Sequence, residues 1–169
     1  EIIEAKKIFD YDYDKLSIIT HPKSYVHAIV KFKNGLTKML IHDTDMAIPI
    51  FNTLYQNNEM YIRSRKINFD TMNNLDFKLL DPKRFPVIKI LSDLSKKNSL
   101  FETIVVSAND ELVNLFIQKK IKFLDISKFL LKIVKIKEFT KFKHRVPKNV
   151  NEINTLSKYV SLKINSMCI

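Results

Sequence analysis

The chain has 169 residues, which is enough for one ordinary domain or two small ones with a substantial hydrophobic core. Hydrophobic residues make up 46% of it, and it holds one cysteine and one glycine, so the collagen-like, disulfide-rich and disordered classes are excluded. The formal net charge is +11, from 29 Lys and Arg against 18 Asp and Glu, which suggests an anionic partner. No apolar run reaches the roughly 20 residues that a membrane-spanning helix needs, so the sequence predicts a soluble chain.

A helix is predicted over residues 1–9, and its apolar side chains share one face: Ile2, Ala5 and Phe9. An acidic cluster at residues 10–14 ends it. The helix begins without a capping residue and the chain without a methionine. We therefore expect the true N-terminus, with any targeting signal, to lie upstream of Glu1.

Three runs rich in β-branched and aromatic residues predict strands: 16–20, 25–33 and 36–42. The dipeptide Asn34-Gly35 separates the last two runs and predicts a hairpin with a type I′ turn, in which both central residues have positive φ. Strict alternation along the first arm of this hairpin puts His27 on the same face as Ile29.

From Asp45 onward the apolar spacing becomes helical, and Pro49 falls in the first turn of a short helix, where a missing N–H costs little. Residues 56–82 read as a connecting segment that holds one short strand at 75–80.

Beyond Phe85-Pro86 the whole chain reads as helical. The run Ser107-Ala108-Asn109-Asp110 predicts the start of one of these helices, with Asn109 in a capping and bracing role. The predicted apolar faces comprise Ile88, Leu91 and Leu94; Leu112, Leu115 and Phe116; Ile126, Phe129, Leu130, Ile133 and Val134; and Ile153, Leu156 and Val160.

Together these elements predict an α+β fold. A helix and an antiparallel or mixed sheet containing the Asn-Gly hairpin come first, and a C-terminal α-helical bundle follows. The predicted segments are 1–55, a connection over 56–84, and 85–169.

Polar residues that could carry chemistry concentrate in two runs, His21 to His27 and His42 to Met46. The plain interpretation gives these histidines no chemical role: His21 lies in a loop, His27 is partly buried on a strand, and His42 ends a strand. A zinc site is disfavoured because the only cysteine is Cys168 and no paired ligand spacing occurs. A single glycine also excludes a Gly-x-Ser-x-Gly elbow, a phosphate-cradling loop and a dinucleotide fingerprint within this chain.

Four motifs make the sequence recognisable: Glu1-Ile-Ile-Glu-Ala, His21-Pro-Lys-Ser-Tyr-Val-His27, Asp45-Met-Ala-Ile-Pro-Ile50 and Ser107-Ala-Asn-Asp110. In this order and at this separation, they resemble the 1-deoxy-D-xylulose 5-phosphate reductoisomerase family. The resemblance continues through Leu75-Asp-Phe77, Phe85-Pro86 and Ile121 to Ile126, so it covers nearly the whole chain.

The resemblance implies an NADPH-dependent enzyme that converts 1-deoxy-D-xylulose 5-phosphate to 2-C-methyl-D-erythritol 4-phosphate in non-mevalonate isoprenoid biosynthesis. It assigns 1–55 to the later half of the metal- and substrate-binding domain and 85–169 to the C-terminal helical domain. NADPH would bind outside this chain, and the chain alone would be inactive. The implied partners are a phosphosugar and a second copy, with no nucleic acid or membrane, in a bacterial cytoplasm or a plastid stroma.

The resemblance also implies roles for individual residues. Glu1 would bind Mg²⁺ or Mn²⁺ and contact the substrate, since these hard cations take oxygen ligands. His27 is the candidate catalytic residue, lying near the substrate and orienting it or balancing local charge. Ser24, Asp45 and Met46 are candidate substrate-binding residues, Ser24 by ordering its loop and Met46 by lining the pocket.

Two other classes of function stay open. Residues 119–148 hold 11 basic and 2 acidic side chains, with Phe129, Phe139 and Phe142 interleaved, as in a module that binds nucleic acid or an anionic surface. The competing interpretation is the solvated face of an amphipathic helix, because three lysines fall opposite its apolar stripe: Lys128, Lys132 and Lys135. The third class is a dimerising domain in which the hairpin edge pairs across a two-fold axis.

Overall fold

The computed structural model describes residues 2–55 and 60–168. These fall into two compact units, one formed by the described residues of 1–17 and 81–169 and the other by those of Ile18–Leu80. No helix in the described part of the chain is long and apolar enough to cross a membrane. In chain order the elements are α1 (Ile2–Phe9), β1 (Ile19–Thr20), β2 (Val26–Lys31), β3 (Thr37–Ile41), α2 (Ala47–Leu54), α3 (Phe69–Asn73), β4 (Lys78–Leu79), α4 (Leu100–Ile117), α5 (Phe123–Ile133), α6 (Lys137–Thr140) and α7 (Val150–Cys168).

The first unit is helical, and α4 is its central element, packed against both α7 and α5. The predicted stripes of α5 and α7 are confirmed, because Leu130, Ile133, Leu156 and Val160 are all buried. Phe139 from α6 completes the core with a fully buried ring. Such apolar burial, at about 25 cal/mol per Å², is the main source of stability in a helical unit of this kind.

The predicted start of α4 at Ser107–Asp110 is wrong, since α4 begins at Leu100. Ser99 precedes it, and its backbone N–H donates to Glu102 Oε2 at 3.3 Å, which is half of a capping box. Asn109 lies within the helix and does not cap it. Ser107 is accommodated mid-helix because its hydroxyl donates to Ser157 Oγ of α7 at 2.9 Å.

A 3₁₀ helix covers Pro86–Asp93 where an apolar face of Ile88, Leu91 and Leu94 is predicted. Leu94 is buried and Leu91 packs against the core, but the third core side chain is Ile90, at 3% exposure. The 3₁₀ helix has three residues per turn, which shifts the buried positions relative to an α-helical pattern.

Polar groups fasten the N-terminus of α7. Asn149 Oδ1 accepts from the Glu152 N–H at 2.9 Å, and Glu152 Oε2 accepts from the Lys148 N–H at 2.7 Å. Arg145 also pairs with this carboxylate. The Lys148 backbone hydrogen bond, reinforced by the Arg145 charge, lowers the pKa of Glu152 below its usual range.

This lowered pKa predicts an acid-dependent loss of stability. The contribution of Glu152 is present above the usual glutamate pKa of about 4.3 and is lost as pH falls through the lower folded-state value. Urea denaturation should therefore show Glu152→Gln less stable than the wild type at neutral pH and equal to it in strong acid. An equal difference at both pH values would contradict this assignment.

The second unit holds two antiparallel pairs of strands, β2 with β3 and β1 with β4. The predicted α+β class is confirmed, although strands predicted over 16–20 and 75–80 shorten to the pairs Ile19↔Leu79 and Thr20↔Lys78. The predicted division at 1–55, 56–84 and 85–169 assigns functional domains, and it stays a prediction.

The hairpin forms where predicted, but its turn differs from type I′. Phe32 N–H donates to Leu36 O at 2.8 Å, so the loop has three residues, and Gly35 N–H donates to Phe32 O at 3.1 Å. Gly35 has a φ of +86°, whereas Asn34 is not among the positive-φ residues. A three-residue loop with a left-handed glycine is the G1-bulge arrangement, which also matches the strand twist.

Gly35→Ala should destabilise the second unit by about 1–2 kcal/mol, because an L-residue strains at positive φ. No atom lies within 4 Å of the position a Cβ would take, so the cost is confined to the backbone. Gly35→Asn should lose less, since asparagine tolerates the left-handed region. Hydrogen exchange across β2 and β3 measures both effects, and equal protection in Gly35→Ala and the wild type would contradict the turn assignment.

Candidate functional site

The predicted site residues that the structure describes all lie in the second unit. Ser24 occupies the loop before β2 with a φ of 50°, a left-handed conformation that is uncommon outside glycine. The ring of His21 holds this loop closed, because its Nε2 lies 3.1 Å from the Val26 N–H, which donates to it. The His21 ring also meets the Phe77 ring edge-on, with centroids 5.4 Å apart. The His-Pro-Lys-Ser motif thus encodes a tight loop that places Ser24 at the surface.

His27 lies at an irregularity of β2. The pairing changes register between Val26↔Ile41 and Ala28↔Leu40, which makes His27 the extra residue of a β-bulge. The bulge breaks the strict alternation, so the predicted common face of His27 and Ile29 is wrong.

The bulge brings His27 onto the ring of His42. The two imidazoles stack with centroids 3.6 Å apart and planes 4° apart. His42 is oriented by its own neighbour, since its Nδ1 lies 2.6 Å from the Asp43 carbonyl oxygen. His27 is exposed, so its imidazole presents ring nitrogens that can donate or accept a hydrogen bond.

Asp45 and Met46 lie at the start of α2. Asp45 Oδ1 accepts from the Ala47 N–H at 2.9 Å, so this carboxylate satisfies a free donor of the first turn. Met46 projects from the same turn with 65% of its surface exposed. Asp45 therefore has a structural role in the chain as described, while the flexible thioether of Met46 is available to a ligand.

An open cleft of about 540 Å³ is lined by Asp45 and its neighbours Asp43 and Thr44, by Ile48, and by the tripeptide Arg63-Ser64-Arg65. Arg65 Nε lies 3.4 Å from Asp43 Oδ2 in an ion pair whose arginine is 89% exposed. Solvent screens such a pair, so its contribution to stability is small, about 0–1 kcal/mol. A second cleft of about 410 Å³ shares Arg65 and extends past His42.

Sequence reasoning missed these arginines because residues 56–82 read as a connection. A signal was present, since two of the chain's four arginines occur in one tripeptide, Arg63-Ser64-Arg65.

Glu1, the predicted metal ligand, lies outside the described residues. Within residues 2–55 and 60–168, no group of three or more His, Cys, Asp or Glu side chains could hold a metal ion. Cys168 is a free thiol whose pKa is raised by burial.

The basic segment 119–148 has the features of a solvated helix face. Lys128, Lys132 and Lys135 are exposed, and Lys128 pairs with Asp125 at 3.3 Å. The interleaved phenylalanines face the core: Phe139 is fully buried, and Phe129 and Phe142 pack against it. Phe139 is buried and Phe129 and Phe142 are partly buried, so these three rings offer little surface for stacking on bases, whereas Phe123 of the same segment is 68% exposed.

Comparison with known proteins agrees with the sequence motifs. A family model described as "DXP reductoisomerase C-terminal domain" matches residues 41–162. The 1-deoxy-D-xylulose 5-phosphate reductoisomerase of Pelagibacter ubique is 59% identical over 169 residues, covering 100% of this chain and 44% of that protein. The corresponding protein of a Sulfurihydrogenibium species is 30% identical over 141 residues, covering 83% of this chain and 38% of that protein. This chain therefore spans less than half the length of these curated relatives.

Solved structures extend the agreement to the fold. The Zymomonas mobilis 1-deoxy-D-xylulose 5-phosphate reductoisomerase in complex with NADPH superposes with a TM-score of 0.81 at 25% identity, covering 99% of this chain and 43% of that one. A reductoisomerase complex with NADPH, fosmidomycin and magnesium gives a TM-score of 0.83 at 22% identity, which supports the fold. The chain belongs to the 1-deoxy-D-xylulose 5-phosphate reductoisomerase family.

Proposed function

We propose that this chain is part of an NADPH-dependent reductoisomerase that converts 1-deoxy-D-xylulose 5-phosphate to 2-C-methyl-D-erythritol 4-phosphate. The observation that carries the proposal is the 59% identity to the Pelagibacter ubique enzyme along all 169 residues. Within it, 1–55 would complete the metal- and substrate-binding domain, 56–84 would connect, and 85–169 would form the supporting helical domain. The bacterial relatives favour a bacterial cytoplasm as its location.

Glu1 is the proposed metal ligand and also contacts the substrate. Its carboxylate is a hard oxygen donor of the kind that Mg²⁺ and Mn²⁺ take, and one such donor fits a site completed by other parts of the protein. A bound divalent ion would supply Lewis-acid polarisation of the substrate carbonyl. The support is the resemblance of Glu1-Ile-Ile-Glu-Ala to the family's metal-binding stretch, together with relatives solved with magnesium.

NADPH would be bound outside residues 1–169, because the single glycine of this chain is committed to the hairpin turn. The experiment compares the full-length protein with the 169-residue chain, each given substrate, Mg²⁺ and NADPH. We expect substrate-dependent NADPH oxidation only in the full-length protein. Turnover by the 169-residue chain alone would contradict the proposal that NADPH binds outside it.

Ser24, His27, Asp45 and Met46 would form this chain's share of the substrate pocket. Ser24 and Asp45 would set the backbone of the two bounding loops, and Met46 would supply apolar contact. The His27 imidazole, braced against His42, would donate to a substrate oxygen and keep the substrate oriented. Orientation of this kind contributes to the rate because misplaced reacting groups react slowly.

For His27→Gln in the full-length enzyme, we expect kcat/KM to fall about tenfold or more, equivalent to ~1.4 kcal/mol of transition-state binding. The matched control is His144→Gln, an exposed histidine of the helical unit, which should leave kcat/KM unchanged. Steady-state kinetics checks both. If the His27→Gln enzyme had the wild-type kcat/KM, His27 would not be part of the substrate site.

The hairpin would form part of a homodimer interface. Its two strands expose apolar side chains, including Val30 at 44%, Met39 at 42% and Leu40 at 58%, and among the described residues each strand pairs only with the other, so each leaves one backbone edge unpaired. Exposed apolar edges of this kind pair with another chain or aggregate. Analytical ultracentrifugation of the full-length protein should give a dimer, and a monomer at high concentration would contradict this interface.

A further inference from the structure

Polar side chains of helix α1 contact the helical unit, in addition to the packing of Ile3 against its core. The predicted apolar face of α1 does not hold, since Phe9 is 63% exposed while Lys6 is only 6% exposed. Beneath α1 lies the carboxylate of Glu102, in the first turn of α4 and 2% exposed. Lys7 Nζ lies 2.6 Å from Glu102 Oε2, and the Tyr13 hydroxyl donates to Glu102 Oε1 at 2.5 Å. We call Lys7, Tyr13 and Glu102 the Glu102 clasp.

The clasp satisfies a group that would otherwise be costly to bury. A buried carboxylate is stable only when it is paired and hydrogen-bonded, and here both oxygens are engaged. The Ser99 N–H adds a third hydrogen bond, to Oε2. Burial, together with the Glu102 carboxylate, raises the pKa of Tyr13, so its hydroxyl stays a donor across the physiological range.

A second contact holds the same turn of α1. Lys6 Nζ donates to the Lys96 carbonyl oxygen at 2.5 Å and lies 5.0 Å from the centroid of the Tyr13 ring. Lys7 also donates to Asn98 Oδ1 at 2.8 Å. Both lysines of α1 therefore donate hydrogen bonds to residues 96–98, the segment that leads into α4. Because hydrogen bonds are directional, the contacts of Lys6 and Lys7 together determine the rotation of α1 about its axis as well as its distance from α4.

We infer that the Glu102 clasp positions the metal-binding end of α1, which begins one residue after Glu1. An eight-residue helix is a short rigid rod about 12 Å long, so fixing its last turn fixes its first. Lys7 lies on α1, Glu102 acts on α1 through Lys7, and Tyr13 holds the Glu102 carboxylate, so all three are positioning residues. The inference rests on the proposed function, which assigns the metal to Glu1.

The test uses the full-length protein with Mn²⁺ as the probe. Glu102→Gln keeps the shape of the side chain and removes its charge, Lys7→Met removes the opposite charge at a half-exposed position, and Lys7→Arg restores it. Glu111→Gln is the matched control, since Glu111 is also on α4 but accepts from Asn165 of α7. Three quantities are measured: the Mn²⁺ dissociation constant by electron paramagnetic resonance, hydrogen exchange of residues 2–9, and steady-state kinetics.

We expect Glu102→Gln and Lys7→Met to weaken Mn²⁺ binding about tenfold and to speed exchange in α1. The same variants should recover most of the wild-type kcat at saturating Mn²⁺. Lys7→Arg should restore Mn²⁺ affinity, and Glu111→Gln should match the wild type. Unchanged Mn²⁺ affinity in Glu102→Gln and Lys7→Met would overturn the inference, even if α1 exchanges faster, because the clasp would then be structural only.

Failure of the proposed function gives a different result. If the wild-type protein does not oxidise NADPH with substrate, the enzyme assignment fails before any variant is compared. If the wild type is active and Lys7→Met binds Mn²⁺ normally, the enzyme assignment stands and the positioning role of the clasp fails.

Discussion

Phe139→Ala should lower the free energy of unfolding of the helical unit by about 3–5 kcal/mol. The Phe139 ring is fully buried in the core and meets the ring of Tyr159 from α7 edge-on, with centroids 6.3 Å apart. Truncation removes the transfer free energy of the ring and leaves a cavity that helix backbones cannot collapse to fill. Urea denaturation followed by circular dichroism measures the loss.

Phe123→Ala is the matched control because the Phe123 side chain is 68% exposed in the first turn of α5. An exposed ring has little burial to lose, so its truncation should change the free energy of unfolding by about 0.5 kcal/mol or less. Equal effects of the two substitutions would mean that Phe139 does not lie in the core.

Glu1→Gln in the full-length enzyme should reduce kcat/KM about a thousandfold, equivalent to ~4 kcal/mol of transition-state stabilisation. A neutral amide is a weak ligand for a hard divalent cation, and it leaves the charge of the metal unbalanced. The expected loss exceeds that for the clasp variants, since these only displace the ligand. Steady-state kinetics over a range of Mg²⁺ concentrations measures it.

The Glu111→Gln enzyme again serves as the reference, because it makes the same chemical change at a carboxylate of α4 that accepts from Asn165 of α7. Glu1→Gln with a wild-type rate and metal requirement would show that the metal ligand lies elsewhere.

Local sequence patterns predict the parts of the fold that depend on local chemistry. The Asn34-Gly35 hairpin and the buried stripes of α5 and α7 follow from turn chemistry and apolar spacing. The start of α4 does not, because Ser107 resembles a capping residue until its bond to Ser157 of α7 is known. Its partner lies on another helix, 50 residues away in the chain.

In the candidate site, too, some features could be predicted from the sequence and others could not. The motif residues could be named from the resemblance, but the stacking of His27 on His42 depends on a bulge that no alternation pattern reveals. The Glu102 clasp is equally hidden, since a glutamate in an apolar helix and a lysine on another helix predict solvated charges. Long-range ion pairs and register shifts belong to tertiary structure, and periodicity does not encode them.

The most direct measurement of the proposed function follows the carbon skeleton and the hydride together. The full-length protein receives isotopically labelled 1-deoxy-D-xylulose 5-phosphate, Mg²⁺ and NADPH deuterated at the transferred hydride, and the product is identified by nuclear magnetic resonance. We predict a branched product, 2-C-methyl-D-erythritol 4-phosphate, carrying one deuterium from the cofactor. A straight-chain alcohol, or unchanged substrate with intact NADPH, would contradict the account.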